Sequence, residues 1–271
     1  MRVDEHTIEV AGVPVFYRSA PSTGTPVLYL HSAPTSSDDW LPYLERTGGI
    51  APDLPGFGRS AKAGNLDYTL DGYESFLQSL LDTVGVEQVK LVSHGWGAAI
   101  ALAFSRRHPE RVECLVLCDA VPLLDGFRWP RFVRVFKSPV LGELIMGSVN
   151  RRMLRRLLRS GSIEADAWPE ARIDTVWEQF DQGTQRAILR LHRSLDEPGL
   201  IAAGDGLERL GQPTLIVWGD LDPWFDPTFA KTYSERLPAA ELELIAGAGH
   251  WPWLDRPEVI DTIASFVARS G

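Results

Sequence analysis

Short apolar runs alternate with amphipathic segments along the first half of the chain. Apolar runs rich in β-branched residues at Val27–Leu30, Val89–Val92 and Val112–Cys118 predict buried strands. Tyr73–Val84 has apolar residues at helical spacing, and Ala98–Arg107 is a longer apolar segment, so both predict helices. Strands that alternate with helices indicate a parallel sheet covered by helices on both faces.

The two ends of the chain extend this pattern. Thr7–Val10 and Val15–Arg18 flank Gly12 and predict an antiparallel hairpin at the start of the sheet. Towards the C-terminus, strand and helix patterns alternate twice more, at Pro213–Trp218, Pro227–Arg236, Leu242–Ile245 and Pro257–Arg269.

The middle of the chain has a different pattern. Pro122–Gly204 is helical throughout and contains no strand-like run, so we interpret it as a helical cap inserted after the strand that ends at Cys118. We therefore expect a core formed by residues 1–122 and 205–271, and a cap formed by residues 123–204.

One predicted helix of the cap is strongly basic. Asn150–Ser160 carries five arginines in an amphipathic pattern. A solvated helix face accounts for such a pattern. A site for an anionic substrate and a dimer contact are the alternatives that the sequence leaves open.

Size and charge limit the possible partners. The chain has 271 residues, 44% of them hydrophobic, which is enough to bury a large core. Its formal net charge of −9 repels phosphate backbones, so we expect a small-molecule substrate and no nucleic-acid partner. The longest apolar stretch, Ala98–Phe104, is too short to span a bilayer, so we expect no membrane partner either. The sequence leaves monomer and homodimer open.

The N-terminus and the cysteines bear on the compartment. Met1–Val10 has no apolar segment, so we do not expect a signal peptide. Cys114 and Cys118 lie in one predicted strand, where four residues span roughly 13 Å, beyond disulfide reach. Buried thiols are typical of a reducing compartment, and we predict a cytoplasmic protein.

A specific motif lies where a predicted strand meets a predicted helix. The run Ser93–Ala98, with the sequence SHGWGA, has the strand–turn–helix setting of a nucleophile elbow. It resembles the α/β-hydrolase superfamily, and within it the haloalkane dehalogenase and epoxide hydrolase branch. In that branch the equivalent run is Gly-His-Asp-Trp-Gly-Gly/Ala, and ester hydrolases have Ser in place of the Asp. Here Gly95 stands at the nucleophile position.

Further motifs agree with this resemblance in order and position. His31–Ser37 resembles the oxyanion loop, although Ser32 replaces its glycine, and Asp53–Ser60 resembles the loop after the fourth strand. Trp218–Pro223 and Gly249–Pro252 resemble the segments that carry the catalytic acid and base. The resemblance implies a mostly parallel eight-stranded α/β-hydrolase sheet with a helical cap inserted after strand 6.

The resemblance also implies roles for individual residues. His250 would be a general base oriented by Asp222, and the backbone N–H groups of Ala33 and Trp96 would form the oxyanion hole. Glycine adopts the left-handed backbone of an elbow without steric cost, so Gly95 keeps the elbow's shape but leaves its nucleophile position without a side chain. We interpret Asp119, which follows the sixth strand, as structural or as a support for the acid.

Seven residues are predicted to bind substrate. They lie in or beside these motifs or are aromatic residues near them: Ser32, Trp40, His94, Trp129, Trp224, Phe225 and Trp251. Ser32 and Ser93 are the nearest hydroxyls to the elbow, but we expect Ser93 to face the packed helices and Ser32 to serve the oxyanion loop. The sequence shows no metal-ligand cluster and no phosphate-binding glycine loop, so we expect no metal and no cofactor.

Three functions fit these residues. The first is an enzyme that works without a covalent intermediate, in which His250 takes a proton from water or from the substrate and the space above Gly95 holds the water or a substrate group. Non-covalent hydrolysis, elimination, cyclisation and lyase chemistry all fit it.

The second is a dehalogenase, epoxide hydrolase or esterase whose nucleophile has been replaced by Gly95. The absence of tyrosine from 126–200 weakens the epoxide hydrolase reading, because epoxide hydrolases of this family use cap tyrosines. The third is a ligand-binding protein without catalysis.

Overall fold

The computed structural model describes residues 1–270. Eight strands form one sheet: β1 (Asp4–Val10), β2 (Val13–Ala20), β3 (Val27–Leu30), β4 (Gly49–Pro52), β5 (Val89–His94), β6 (Val112–Cys118), β7 (Thr214–Gly219) and β8 (Ala240–Ile245). Their order in the sheet is β1-β2-β4-β3-β5-β6-β7-β8. β2 pairs antiparallel with β1 and β4, and the other pairs are parallel. The predicted mostly parallel eight-stranded sheet is confirmed.

The helices connect and cover these strands. In chain order they are α1 (Leu41–Thr47), α2 (Leu70–Val84), α3 (Trp96–Arg107), α4 (Arg131–Lys137), α5 (Leu141–Ser148), α6 (Arg151–Ser160), α7 (Glu170–Gln179), α8 (Gln182–Ser194), α9 (Glu197–Ala203), α10 (Thr228–Arg236), α11 (Pro252–Asp255) and α12 (Val259–Arg269). Right-handed crossovers place α1 on one face of the sheet and α2, α3 and α10 on the other. α2 packs against α3, and α12 packs against α1. Among residues 1–270, no helix combines the length and the apolarity needed to cross a membrane.

Local capping explains where α2 begins and ends. The helix starts at Leu70, three residues before the predicted start, because the Thr69 side chain accepts a hydrogen bond from the Gly72 N–H at 3.1 Å. It ends at Gly85, whose φ of 71° is left-handed. The apolar periodicity therefore located the helix, and a polar cap fixed its first turn.

The register of the parallel strands brings four loops to one edge of the sheet. Leu30 on β3 pairs with Ser93 on β5, Ser93 pairs with Leu117 on β6, and Leu117 pairs with Ile216 on β7. The carboxyl ends of these strands are thus level, and the loops that follow them start side by side. In an open α/β sheet this edge is where ligands bind.

Six helices, α4–α9, lie between β6 and β7, and no strand is found between them in the described chain. Two buried tryptophans, Trp129 and Trp168, anchor this segment in the hydrophobic core. The helical content agrees with the sequence prediction. The exact division into a core and a cap at residues 122 and 205 stays a prediction.

The basic helix α6 is held by acidic residues within the same segment. Leu154 and Leu158 are buried, whereas Arg151, Arg155 and Arg159 form ion pairs with Glu170 at the start of α7. The spacing of four residues puts the three guanidinium groups on one side of the helix. Of the readings that the sequence left open, this arrangement favours a solvated, internally paired face.

The two cysteines are core side chains. Cys114 and Cys118 lie on β6, and both thiols are free and buried. Burial raises the pKa of the Cys114 thiol to about 11, so the thiol form predominates at neutral pH. Neither residue has the lowered pKa that makes a cysteine reactive.

Candidate active site

The turn between β5 and α3 is built around Gly95. Its φ is 51° and its ψ is −114°, a conformation that a residue with a side chain adopts only under strain. The Gly95 N–H donates to the Cys118 carbonyl at 3.1 Å, and its carbonyl accepts from the Val121 N–H at 3.1 Å. These bonds tie the turn to the end of β6 and hold Gly95 in the backbone geometry expected of an elbow.

The space above Gly95 is filled by Ser32. A Cβ placed on Gly95 would lie 2.3 Å from the Ser32 Oγ and 2.8 Å from the Ser32 Cβ. The Ser32 Oγ accepts a hydrogen bond from the Trp96 N–H at 3.1 Å. The expectation that this space is open for a water or a substrate group is therefore wrong, because a hydroxyl of the chain itself lies there.

His250 and Asp222 form the predicted pair. His250 follows β8 and is buried, and its Nδ1 donates to the Asp222 Oδ2 at 2.8 Å. The Asp222 Oδ1 accepts from the N–H groups of Trp224 and Phe225 at 2.7 and 3.1 Å. Both carboxylate oxygens are thus held, which fixes the imidazole ring. With Nδ1 as the donor, Nε2 of the neutral ring is an acceptor.

The free nitrogen of His250 is directed at the elbow. Nε2 lies 3.8 Å from the position that a Cβ on Gly95 would take, and it makes no hydrogen bond to residues 1–270. His250 also lines the cavity above the sheet. An imidazole held by a carboxylate and open to a cavity on its other side has the arrangement of a general base.

Asp119 lies beneath this pair. It is fully buried, with a φ of 39°, and its Oδ1 accepts from the Gly219 N–H at 3.1 Å, whereas its Oδ2 has no partner. Burial, together with the neighbouring Asp222 carboxyl, raises the pKa of Asp119 well above its ordinary value. An uncharged Asp119 avoids a second buried charge beside Asp222, and its one side-chain hydrogen bond holds the end of β7.

Asp119, Asp222 and His250 are also the one group of residues 1–270 whose spacing would suit a metal ion, with ligand atoms within 4.8 Å of one another. The direct hydrogen bond between His250 and Asp222 accounts for the proximity of two of the three groups. Asp119 bonds to the Gly219 N–H instead.

A cavity of about 370 Å³ lies between the strand ends and the helices that connect β6 to β7. Its floor contains Ser32, Ala33, Trp96 and His250. Its walls are almost wholly apolar: Pro34, Trp129, Pro130, Phe132, Val133, Val135, Phe136, Ile145, Met146, Val149, Met153, Leu154, Leu157, Phe180, Ile188, His192, Trp224 and Phe225. No lysine, arginine, aspartate or glutamate lines it, so it suits a neutral and largely apolar molecule.

His192 on α8 is a cavity residue that the sequence pattern does not indicate. Its Nδ1 donates to the Ile188 carbonyl at 2.8 Å, and its Nε2 accepts from the Trp96 indole N–H at 3.3 Å. Burial lowers its pKa to about 4, so the ring is neutral at neutral pH. Nothing in the helical pattern distinguished it, because a histidine on a buried helix face has no signature of its own.

Three predicted substrate-binding residues lie outside the cavity. Trp40 stacks on Trp253 with ring centroids 5.3 Å apart, in the core beneath the site. His94 is buried behind His250, where its Nε2 contacts the His250 carbonyl at 2.8 Å. Trp251 is fully buried and packs edge-on against Trp168. The prediction was wrong for these three residues, because proximity in sequence to a motif does not say which side of the loop a ring takes.

The other predicted binding residues line the cavity, namely Ser32, Trp129, Trp224 and Phe225. Of the two predicted oxyanion-hole donors, Ala33 also lines it, and its N–H has no acceptor among residues 1–270. The Trp96 N–H is already bound to the Ser32 hydroxyl. Ser93, as expected, points away: its Oγ donates to the Val116 carbonyl at 2.8 Å.

Comparison with known proteins agrees with this geometry. The sequence profile of the Alpha/beta hydrolase family matches residues 27–262. A haloalkane dehalogenase from Mesorhizobium japonicum is 27% identical, with 93% of this chain and 87% of that protein aligned. Epoxide hydrolase 1 from Caenorhabditis elegans is 22% identical, with 95% of this chain and 68% of that protein aligned.

A solved structure matches along almost the full length. The crystal structure of a haloalkane dehalogenase from Bradyrhizobium elkani superposes with a TM-score of 0.87 at 25% identity, covering 99% of each chain. The order of the strands, the positions of the four motifs and the span of the family match all lead to one conclusion: this chain belongs to the α/β hydrolase family.

Proposed function

We propose that this protein is an enzyme that acts on a small, largely apolar organic substrate without a covalent intermediate. His250, oriented by Asp222, takes a proton from water or directly from the substrate. Non-covalent hydrolysis, elimination, cyclisation and lyase chemistry are the reactions that such a base supports.

The observation that carries the proposal is the contrast between His250 and Gly95. A buried His–Asp pair, bonded at 2.8 Å, presents its free nitrogen to an apolar cavity, while the elbow beside it has no side chain. In hydrolysis, Nε2 would accept a proton from water as the water oxygen bonds to the electrophilic carbon. The proton would then pass to the leaving group, and the base would be regenerated.

Steric contacts count against a simple loss of the nucleophile. Any residue with a Cβ at position 95 would approach the Ser32 Cβ to 2.8 Å, and no rotation of the Ser32 side chain moves that atom. Replacing Gly95 by Asp or Ser alone therefore conflicts with Ser32. Gly95 and Ser32 together fit an elbow that works without a nucleophile. They do not fit an elbow in which only the residue at position 95 has changed.

A role in ligand binding without catalysis is supported less well. Such a protein has no need for an imidazole fixed by both oxygens of a buried carboxylate. The cavity alone would be sufficient for it.

The test is a comparison of wild type with His250→Ala on three probes: 4-nitrophenyl butyrate, 1-bromobutane and styrene oxide. We expect turnover of at least one probe, and a fall of at least about 100-fold in kcat for His250→Ala, because removal of a general base costs rates of that order. His6→Ala, on the distant strand β1, is the matched control and should keep wild-type activity. Undiminished turnover by His250→Ala would falsify the proposal.

The absence of a covalent intermediate has its own measurement. A single turnover in ¹⁸O-labelled water should place no label in the protein, and for a hydrolysis it should place the label in the product. Mass spectrometry of acid-quenched enzyme should show no adduct. Label in the protein, or an adduct at any side chain, would contradict the non-covalent mechanism while leaving the base in place.

A further inference from the structure

Ser32 and Gly95 fit each other, although they lie on different loops. Ser32 follows β3 and Gly95 follows β5. The hydroxyl at position 32 occupies the volume that a side chain at position 95 would need, since a Cβ there would lie 2.3 Å from the Oγ. A side chain from the loop after β3 therefore occupies the place that a side chain on the elbow would take.

The hydrogen bonds of Ser32 define what its hydroxyl can do. The Oγ accepts from the Trp96 N–H at 3.1 Å, and its own O–H has no acceptor among residues 1–270. No hydrogen bond joins it to His250, so it lacks the base that a nucleophilic serine requires. A hydroxyl that accepts one hydrogen bond becomes a better donor of another. Its free proton is available to a ligand at the floor of the cavity, where Ser32 and His250 both lie.

We propose that the Ser32 hydroxyl is the donor that binds the substrate's oxygen in this site. It takes the place of the Trp96 N–H, because that N–H donates to the Ser32 Oγ and polarises the hydroxyl. The inference rests on the proposed function and adds a residue to it. The chain Trp96 N–H to Ser32 O–H to substrate oxygen stabilises negative charge on that oxygen while His250 takes a proton.

The cavity restricts the substrate to a definite class. Besides Ser32 and His250, the lining contains His192, both of whose ring nitrogens already have partners, and tryptophans, of which Trp129 has a buried indole N–H without a partner. An indole N–H can only donate, so the one group in the lining placed to take a proton is His250 at the floor. The substrate is a neutral apolar molecule with a carbonyl or hydroxyl oxygen at the end that enters first.

Binding of 4-nitrophenol tests the donor without requiring turnover. This probe has an apolar ring and one acidic oxygen, and its phenolate absorbs in the visible range. We expect wild type to bind it roughly tenfold or more tightly than Ser32→Ala, because a hydrogen bond to a charged oxygen contributes a factor of that size. Ser270→Ala, near the C-terminus, is the control and should bind as wild type does. Equal affinity of wild type and Ser32→Ala, including no measurable binding by either, overturns the proposal.

A double-mutant cycle tests the placement of Ser32 independently of any ligand. Gly95→Ala should lower the Tm strongly in the wild-type background and less in the Ser32→Gly background, because the backbone strain at position 95 is common to both but the clash is not. Additive effects would place the hydroxyl elsewhere and overturn the inference.

Diisopropyl fluorophosphate distinguishes a donor from a nucleophile. We expect intact-mass measurement to show no adduct after treatment of wild type. An adduct at Ser32 would make this residue a nucleophile and overturn the donor role. One outcome separates the two proposals. If none of the three activity probes is turned over, but wild type still binds 4-nitrophenol more tightly than Ser32→Ala does, the proposed function fails while the binding role of Ser32 stands.

Discussion

At the scale of single residues, two buried carboxyl groups meet at the ends of β6 and β7. Asp119 accepts from the Gly219 N–H and has a second oxygen without a partner, while Asp222 is bonded to His250. Burial and the proximity of Asp222 favour the protonated form of Asp119. The buried acid therefore holds the end of β7 beside the orienting carboxylate through the Gly219 N–H, without itself reaching the cavity.

Asp119→Asn should keep most of the stability, because the amide retains a donor and an acceptor and asparagine tolerates a positive φ. Asp119→Ala should lower the free energy of unfolding by about 2 kcal/mol, because it leaves the buried Gly219 N–H unpaired. Urea unfolding of the two variants measures this. Equal destabilisation by Asn and Ala would mean that the hydrogen bonds of Asp119 do not matter.

His192 links the acid stability of the protein to its cavity. The unfolded chain binds a proton at the ordinary pKa of 6.5, whereas burial lowers the folded pKa to about 4. Between these values the unfolded state holds more protons, so stability falls as the pH falls from 6.5 towards 4. Full protonation of this one group in the unfolded state lowers the free energy of unfolding by about 3 kcal/mol.

His192→Gln should therefore flatten the dependence of Tm on pH between 6.5 and 4. Its amide oxygen can still accept from the Trp96 indole, so the packing is kept. Part of the slope should remain, because burial also lowers the pKa values of His31 and His94. A pH profile identical to that of wild type would show that His192 does not contribute to acid unfolding.

At the scale of elements, the helices α6 and α7 are joined by charge as well as by packing. Glu170 accepts from Arg151, Arg155 and Arg159 at 2.6, 3.2 and 3.1 Å. All four side chains are between 35% and 49% exposed, so solvent and salt weaken the interactions.

Glu170→Gln should lower the Tm slightly in low-salt buffer and not at all in 1 M salt, since the salt already screens the three pairs. Arg152→Gln, on the same helix but without an ion pair, is the matched control and should leave the Tm unchanged at both salt concentrations. A Tm loss that persists at high salt would mean that Glu170 acts through packing rather than charge.

At the scale of the whole molecule, the cavity is formed jointly by the sheet and by the helices between β6 and β7. The loops after the strands supply its polar floor, and the helices between β6 and β7 supply its apolar walls. Neighbouring positions on α5 show the difference: Ile145 lines the cavity, whereas Leu144 is 66% exposed on the outside.

Ile145→Trp should fill part of the cavity and weaken the binding of Nile red, a neutral apolar dye, by roughly tenfold, as overpacking costs of 1–3 kcal/mol imply. Leu144→Trp adds the same volume on the solvent side and should leave the affinity unchanged. Fluorescence titration measures both. Equal loss in the two variants would show that the dye binds the outer surface instead.

The sequence by itself determined the sheet, the helical insertion, the elbow at Gly95 and the pairing of His250 with Asp222. These follow from local periodicity and from motifs whose order along the chain fixes their place at the strand ends. Only the tertiary structure decided which rings line the cavity, that His192 reaches Trp96, and that Ser32 fills the space above Gly95. The physical reason is distance along the chain: Ser32 and Trp96 are 64 residues apart, and a contact between two loops depends on how each one leaves its strand.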